Sequence, residues 1–256
     1  MTVVTPRRTE EEATHPSTLA TAAWITVGGS LAWLAWVWGL ALVALLLLLV
    51  GAEVRDDALG SSLWQFMGAN WQRWVLLGAG ASMVPTFLPM LVANGVTRST
   101  AARATTITMV ALAAIGATVI AAGYSVEDAA FARNDWRHVV GADEVAAGGV
   151  RFLAGAWVHN LLGLAAYFAS GWLIGAAFYR LGKDVAWPLV LPSLLPAAAA
   201  ELLLDRTGGF GFGYLFGGLH ALPEPHAAVG LPLAALAVAL ASVVARRVVV
   251  ETPLKP

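Results

Sequence analysis

The sequence predicts an all-α polytopic membrane protein with six transmembrane helices. Two observations carry that prediction. The chain has 256 residues, of which 59% are hydrophobic and only 12% charged, whereas soluble domains carry about a quarter charged residues. Several apolar runs also exceed the roughly 18 residues that mark a spanning helix. The 11 tryptophans fit the same class, because the indole ring favours the headgroup region.

Each segment then has a reading in order. Residues 1–16, MTVVTPRRTEEEATHP, lack the apolar core and cleavage site of a signal peptide and read as a cytoplasmic tail. Residues 17–29 are moderately apolar and end in Gly28-Gly29, the pattern of an interfacial elbow helix. The chain therefore divides into 1–29, tail and elbow, and 30–256, the transmembrane domain. The spans are Ser30–Val50, Trp74–Val92 (interrupted by Pro85 and Pro89), Thr105–Gly123, Phe152–Tyr179, Trp187–Leu204 and Ala227–Ala245.

Six spans put both termini on one side, and charge decides which. The terminal side carries nine Arg and Lys against five acids, and the other side six against eleven. The positive-inside rule makes the terminal side cytoplasmic. The linker VANGVTRSTAARATT, Val92–Thr106, with Arg98 and Arg103 and no acid, is then cytoplasmic as well. On the outer side, residues 205–226, DRTGGFGFGYLFGGLHALPEPH, are too apolar for a free loop and too glycine-rich for a spanning helix. They read as an outer re-entrant hairpin, because non-helical backbone at membrane depth needs a protein or water-filled cover.

Several function classes fall away. A net charge of −1 gives no pull toward nucleic acid, and the absence of cysteine removes disulfides, thiolate ligands and thiol nucleophiles. There is no G-x-x-x-x-G-K-[ST] phosphate loop and no H-E-x-x-H. His220, Glu224 and His226 have no standard metal-ligand spacing and read as loop residues. The stretch FASGW places Ser170 before Gly171, which raises a rhomboid-like intramembrane serine protease. That motif would need a first glycine where Phe168 stands, and a histidine on a later span. The alternative for the same residues is helix packing, since Gly171-x-x-x-Gly175 lets two backbones approach closely.

Polar residues inside spans are functional candidates. His159 and Asn160 lie in span 4 and Glu201 in span 5, either as the lining of a substrate path or as interhelical hydrogen-bonding groups. Pro188, Pro192 and Pro196 recur every four residues, so they share one face of span 5. Each removes a backbone donor and crowds the preceding turn, which predicts a bent or partly opened helix.

The linker NGVTRSTAARATT resembles the G-[VS]-[TS]-R segment of ABC-2 type transporter permeases, and WLIGAAFYRLGKDVAWPLVLP resembles their junction between spans 4 and 5. The matching residues are Asn94–Arg103 and Tyr179–Lys183, while the similar six-span architecture extends over most of the chain. The resemblance implies a permease half of an ATP-binding cassette exporter in the plasma membrane. Its partners would be a second permease subunit, identical or homologous, and two copies of a separate ATPase that binds ATP and Mg. This chain would bind no cofactor and catalyse no chemistry. The resemblance further implies a short coupling helix docked on the ATPase through Asn94, Gly95, Val96, Thr97, Arg98 and Arg103. Arg180 and Lys183 would form a second cytoplasmic contact. Gly95 suits a chain turn, Thr97 a helix cap, and the arginines carboxylates or inner-leaflet phosphates. Apart from the resemblance, the aromatics of the outer segment, Phe210, Phe212, Tyr214 and Phe216, read either as an outer gate closing a path between two subunits or as anchors at the outer interface. A path with few charges favours an amphipathic or lipid-like substrate. The readings from other classes are the intramembrane protease and a non-transporting membrane scaffold.

Overall fold

The computed structural model describes residues 17–55, 64, 71–133, 142–204 and 227–252. No strand occurs among them. Six helical stretches are long and apolar enough to cross a membrane: Thr18–Leu48, Gln72–Ala93, Arg98–Glu127, Phe152–Leu181, Lys183–Leu204 and Ala228–Glu251. The protein is a multi-pass, all-helical membrane protein, with spans where the apolar runs place them. The expected outer hairpin, the aromatics Phe210, Phe212, Tyr214 and Phe216, and the His220–Glu224–His226 group lie outside the described residues.

Helix α1 runs Thr18–Arg55 without interruption, so Gly28 and Gly29 do not turn the chain into an elbow. Glycine in a helix costs about 1 kcal/mol relative to alanine. Tertiary packing supplies a reason for Gly29: a Cβ there would stand 3.2 Å from the Phe87 ring. Span 2 is α2 (Gln72–Ser82), a π-helical turn (Met83–Phe87) and α3 (Leu88–Ala93). The wide turn surrounds Pro85, whose missing N–H breaks the regular ladder.

The chain then reverses in four residues. Gly95 adopts φ +83°, a left-handed conformation that glycine enters without a Cβ penalty. The amide of Val96 donates to Leu91 O (3.0 Å) and Asn94 Nδ2 to Met90 O (2.8 Å), which closes the end of α3. Thr97 Oγ1 accepts the Thr100 amide at 3.2 Å and caps the next helix. That helix is α4, Arg98–Arg133. Thr97 therefore caps a 36-residue helix that Arg98 opens. The short coupling helix expected between spans 2 and 3 is not a separate element.

Helix α5 spans Ala142–Leu181, with a kink at Gly149. A second left-handed glycine, Gly182 (φ +81°), turns it into span 5. Span 5 is broken as its prolines predict, into α6 (Lys183–Ala186), a 3₁₀ turn (Trp187–Leu189), α7 (Val190–Ser193) and α8 (Leu195–Leu204). Helix α9 is Ala227–Glu251.

Helix α5 is central: it packs on α2, α4, α8 and α9, whereas α1 leans mainly on α4. In the most apolar stretch of each span, 67% of residues are buried for α5 and only 6% for α1. The α2–α5 contact is a glycine seam. A Cβ on Gly80 would stand 2.1 Å from Phe168 O, one on Gly171 1.9 Å from Leu77 O, and one on Gly175 2.2 Å from Ala81 O. Along the two helices Arg73 lies by Gly163, Trp74 by Tyr167, Leu77 by Gly171 and Ala81 by Gly175, so α2 and α5 run parallel. The Gly95 and Gly182 turns consequently share one end of the bundle, called here the turn end. Between α1 and α4, the Thr26 and Thr108 hydroxyls meet at 2.7 Å, an interhelical bond of the kind that ties membrane helices.

Candidate functional site

A polar stripe runs through the half of the bundle away from the turn end. It begins where span 5 breaks. The Ala197 amide, one turn beyond Ser193, donates to Ser170 Oγ of α5 at 3.1 Å. Ser170 is fully buried, and it satisfies a backbone group that the proline-broken helix leaves over. One turn further along α8, Glu201 receives the Tyr167 hydroxyl and lies 3.6 Å from Arg73 Nη1. Beyond it, His159 Nε2 donates to the carbonyl of Leu204. Positions 197, 201 and 204 follow the i, i+4, i+7 spacing of one helical face. The half of span 5 away from the turn end is thus fastened to α5 by polar contacts.

The Arg73–Glu201 pair is buried, with side-chain exposures of 11% and 7%. Arg73 stands in the first turn of α2, its Nε 3.8 Å from the place a Cβ would take on Gly163. Tyr167 is fully buried and meets Trp74 edge to face, with ring centroids 5.5 Å apart. In a low-dielectric interior an ion pair is retained only where each charge is matched and hydrogen-bonded. Here a carboxylate takes a guanidinium and a phenol together.

Next to Arg73 stands Gln72, 2% exposed. Among the described residues neither of its amide atoms has a hydrogen-bond partner. Its Nε2 occupies the space above Gly116, where a Cβ would come within 2.1 Å. A void of about 10 Å³, lined by Val37, Trp38, Ala41, Trp71 and Val75, adjoins it; that is room for one water.

The sequence-predicted polar residues divide. Glu201 is the centre of the stripe and His159 its end furthest from the Gly95 and Gly182 turns. Asn160 is not part of it, because its Nδ2 donates to Ala156 O, one turn back in its own helix, at 2.8 Å. Arg73, Gln72 and Tyr167 were not predicted. Arg73 and Gln72 sit in WQRW, between Trp71 and Trp74, and read as interfacial. The signal that could have found Arg73 is Glu201 itself, since an acid inside a span requires a cation or donor at the same depth.

The residues expected at the cytoplasmic contact gather at the turn end. Asn94, Gly95 and Thr97 shape the turn and are exposed, while Val96 is packed inward. Arg98 is half-buried and Arg103 exposed. Arg180 Nη1 lies 3.8 Å from Glu251 Oε2, a solvent-facing pair worth about 0–1 kcal/mol. Lys183 and Arg247 are exposed and Arg246 half-buried at this end.

Ser170 and His159 are eleven positions apart on α5, about 16 Å at 1.5 Å per residue. Ser170 holds an amide and lies in the seam that Gly171 and Gly175 create, the packing arrangement of those residues. No grouping of three metal-ligating side chains occurs among the described residues. Comparison with protein-family models, curated proteins and solved structures finds no match to this chain.

Proposed function

We propose that this chain is the permease subunit of an ATP-binding cassette exporter, working with a second permease and two ATPase subunits. In this reading both termini face the cytoplasm of a cell whose plasma membrane the six helices cross. One observation carries it. The Asn94–Thr97 turn exposes three of its four residues and continues directly into span 2, which carries the glycine seam, and into α4, at the same end of the bundle as Arg98, Arg103, Lys183 and Arg247. A partner with carboxylates docking there would push directly on the most closely packed helix pair. The chain has no phosphate loop of its own, so ATP and Mg would be held by the partner. The proline-broken span 5 supplies a segment able to change its backbone, as alternating access demands.

Purification of the tagged chain from its native membranes should bring down a subunit with a Walker-type phosphate loop. Arg98→Glu reverses a charge at the docking turn and should lower that association about tenfold or more, since opposing charge across a contact both steers and holds it. A native complex with no nucleotide-binding subunit would remove the proposal.

Orientation has its own test. The sequence has no cysteine, so single cysteines give a clean background. A cysteine at Ala142 should react with an impermeant thiol reagent in intact cells, and one at Ser99 only after lysis. The reverse pattern would overturn the orientation and the docking turn with it.

A further inference from the structure

We infer that the outward face of α9 at the turn end is a binding site for an anionic phospholipid. Arg246 and Arg247 hold its phosphate, and the apolar stripe of the same face takes an acyl chain. This goes beyond the transport reading and needs no ATPase. The docking turn at Asn94–Thr97 lies between α3 and α4 and shares no residue with the site.

The sequence sets the depth of the two arginines. They stand in VVARRVVVE, Val243–Glu251, with valines on both sides. The apolar stretch that can cross the membrane runs past them to Glu251. Arginine in such a place extends its guanidinium along the helix toward the headgroups. Ala241, Ala245 and Val249 are buried on the bundle side of α9. Arg247 is exposed on the side away from the bundle, and Arg246 is half-buried on its flank. With Val243, Val250 and Glu251 they line a groove of about 320 Å³. Arg180 of α5 reaches the Glu251 carboxylate at 3.8 Å. Among the described residues no carboxylate pairs with Arg246 or Arg247. Two guanidinium groups therefore share one groove at the edge of the apolar core, where the ordinary anion is a lipid phosphate. Their N–H donors match phosphate oxygens in pairs.

The rest of the face favours a lipid over a free anion. Leu236, Leu240, Val243, Arg247 and Val250 follow at steps of three and four, so they form one straight stripe. Leu236, Leu240 and Val243 are exposed at 53%, 58% and 48%. Leu236 and Arg247 are eleven positions apart, about 16 Å at 1.5 Å per residue. One leaflet is about as thick, half of a roughly 30 Å hydrocarbon core. A lipid anchored by its phosphate at the arginines thus lies along apolar side chains to the middle of the membrane. A second copy of this chain fits the face less well. A two-fold contact through the stripe brings the Arg246–Arg247 pairs of both copies to one depth, and like charges repel.

The test uses the full chain in dodecyl maltoside with lipid added. Phosphatidylglycerol and phosphatidylcholine of identical acyl chains both carry a phosphate, but choline cancels its charge; glycerol phosphate is the head without chains. The rise of the unfolding midpoint with each reports binding to the native state. Phosphatidylglycerol should bind at least about tenfold tighter than phosphatidylcholine, the gain expected of two arginines beside an anionic lipid. Arg246→Gln/Arg247→Gln should erase that preference. Arg103→Gln removes an exposed charge at the same end and should keep it. A purely topological role for the arginines predicts no preference in the folded chain. Equal binding of the two lipids by the wild-type chain would overturn the inference, whether or not the variants fold. An equal loss of preference in Arg103→Gln would overturn it by showing diffuse attraction to a basic surface. Glycerol phosphate as effective as the lipid would overturn it too, since the stripe would then have no part. So would complete disulfide formation between copies of a Leu240→Cys protein in phosphatidylglycerol nanodiscs, because a second chain would then cover the face.

Discussion

Gly171→Leu is expected to destroy the folded bundle, whereas Gly78→Ala, one turn from the same seam, should be tolerated or slightly stabilising. At Gly171 a Cβ would stand 1.9 Å from the carbonyl oxygen of Leu77 and 2.9 Å from the amide nitrogen of Ala81. Both obstacles are backbone, so no rotamer change relieves the clash. Relief requires α2 and α5 to separate along their length, which forfeits the contacts of Gly80 and Gly175 as well. Overpacking a core by side-chain contacts alone costs about 1–3 kcal/mol, and the backbone clash should exceed that range. Between membrane helices the loss is direct, because close packing rather than the hydrophobic effect holds them together. At Gly78 nothing lies within 4 Å of an added Cβ, and alanine removes unfolded-chain freedom at a helical site, worth about 0.4–1 kcal/mol. The unfolding midpoint and the monodisperse fraction after extraction measure both. A Gly171→Leu protein that matches Gly78→Ala in both would refute the seam.

The spans were legible because the signal for them is local. Apolar runs of the required length end at polar turns, and each expected span falls inside the corresponding helical stretch, which for Trp187–Leu204 is a series of short helices. Gly171-x-x-x-Gly175 was legible for the same reason, since two small residues four apart have few other uses on an apolar helix. The three prolines announced the broken span 5 by spacing alone. Hydropathy placed the start of span 3 at Thr105, whereas helix α4 starts at Arg98. The residues between are polar or small but carry no Gly or Pro, so nothing stops the helix once Thr97 caps it. The continuity of α1 was not legible, because Gly28-Gly29 reads as a turn until Phe87 is known to pack on Gly29. The site was half legible. Glu201 and His159 stand out as polar residues in apolar runs, but their partners come from distant segments. Arg73 sits at a span end between tryptophans, where arginine is ordinary. Tyr167 is an aromatic in a helix of aromatics. Only the register of α2, α5 and α8 brings them to one depth.

Removing one member of the Arg73–Glu201 pair should be far more damaging than removing both. Arg73→Met leaves a carboxylate at 7% exposure with the Tyr167 hydroxyl and no cation from this pair. Breaking a buried pair in this way costs about 3–5 kcal/mol. Glu201→Met should cost less, because Arg73 stands in the first turn of α2, and a long arginine there can swing its guanidinium toward the surface. It also leaves the Tyr167 hydroxyl without that acceptor, so some loss remains. The double variant Arg73→Met/Glu201→Met replaces two charges by apolar side chains of similar length. Such exchanges are often neutral or stabilising, so the double variant should recover most of the loss of Arg73→Met. The coupling energy of the cycle is then a few kcal/mol, where independent sites would add to within about 0.5 kcal/mol. Unfolding midpoints of the four proteins in one nanodisc composition give the cycle, and simple additivity would show that the two residues do not act as a pair. A double variant that folds as well as the wild type would carry a further meaning. The ion pair would then add nothing to stability that methionines do not supply.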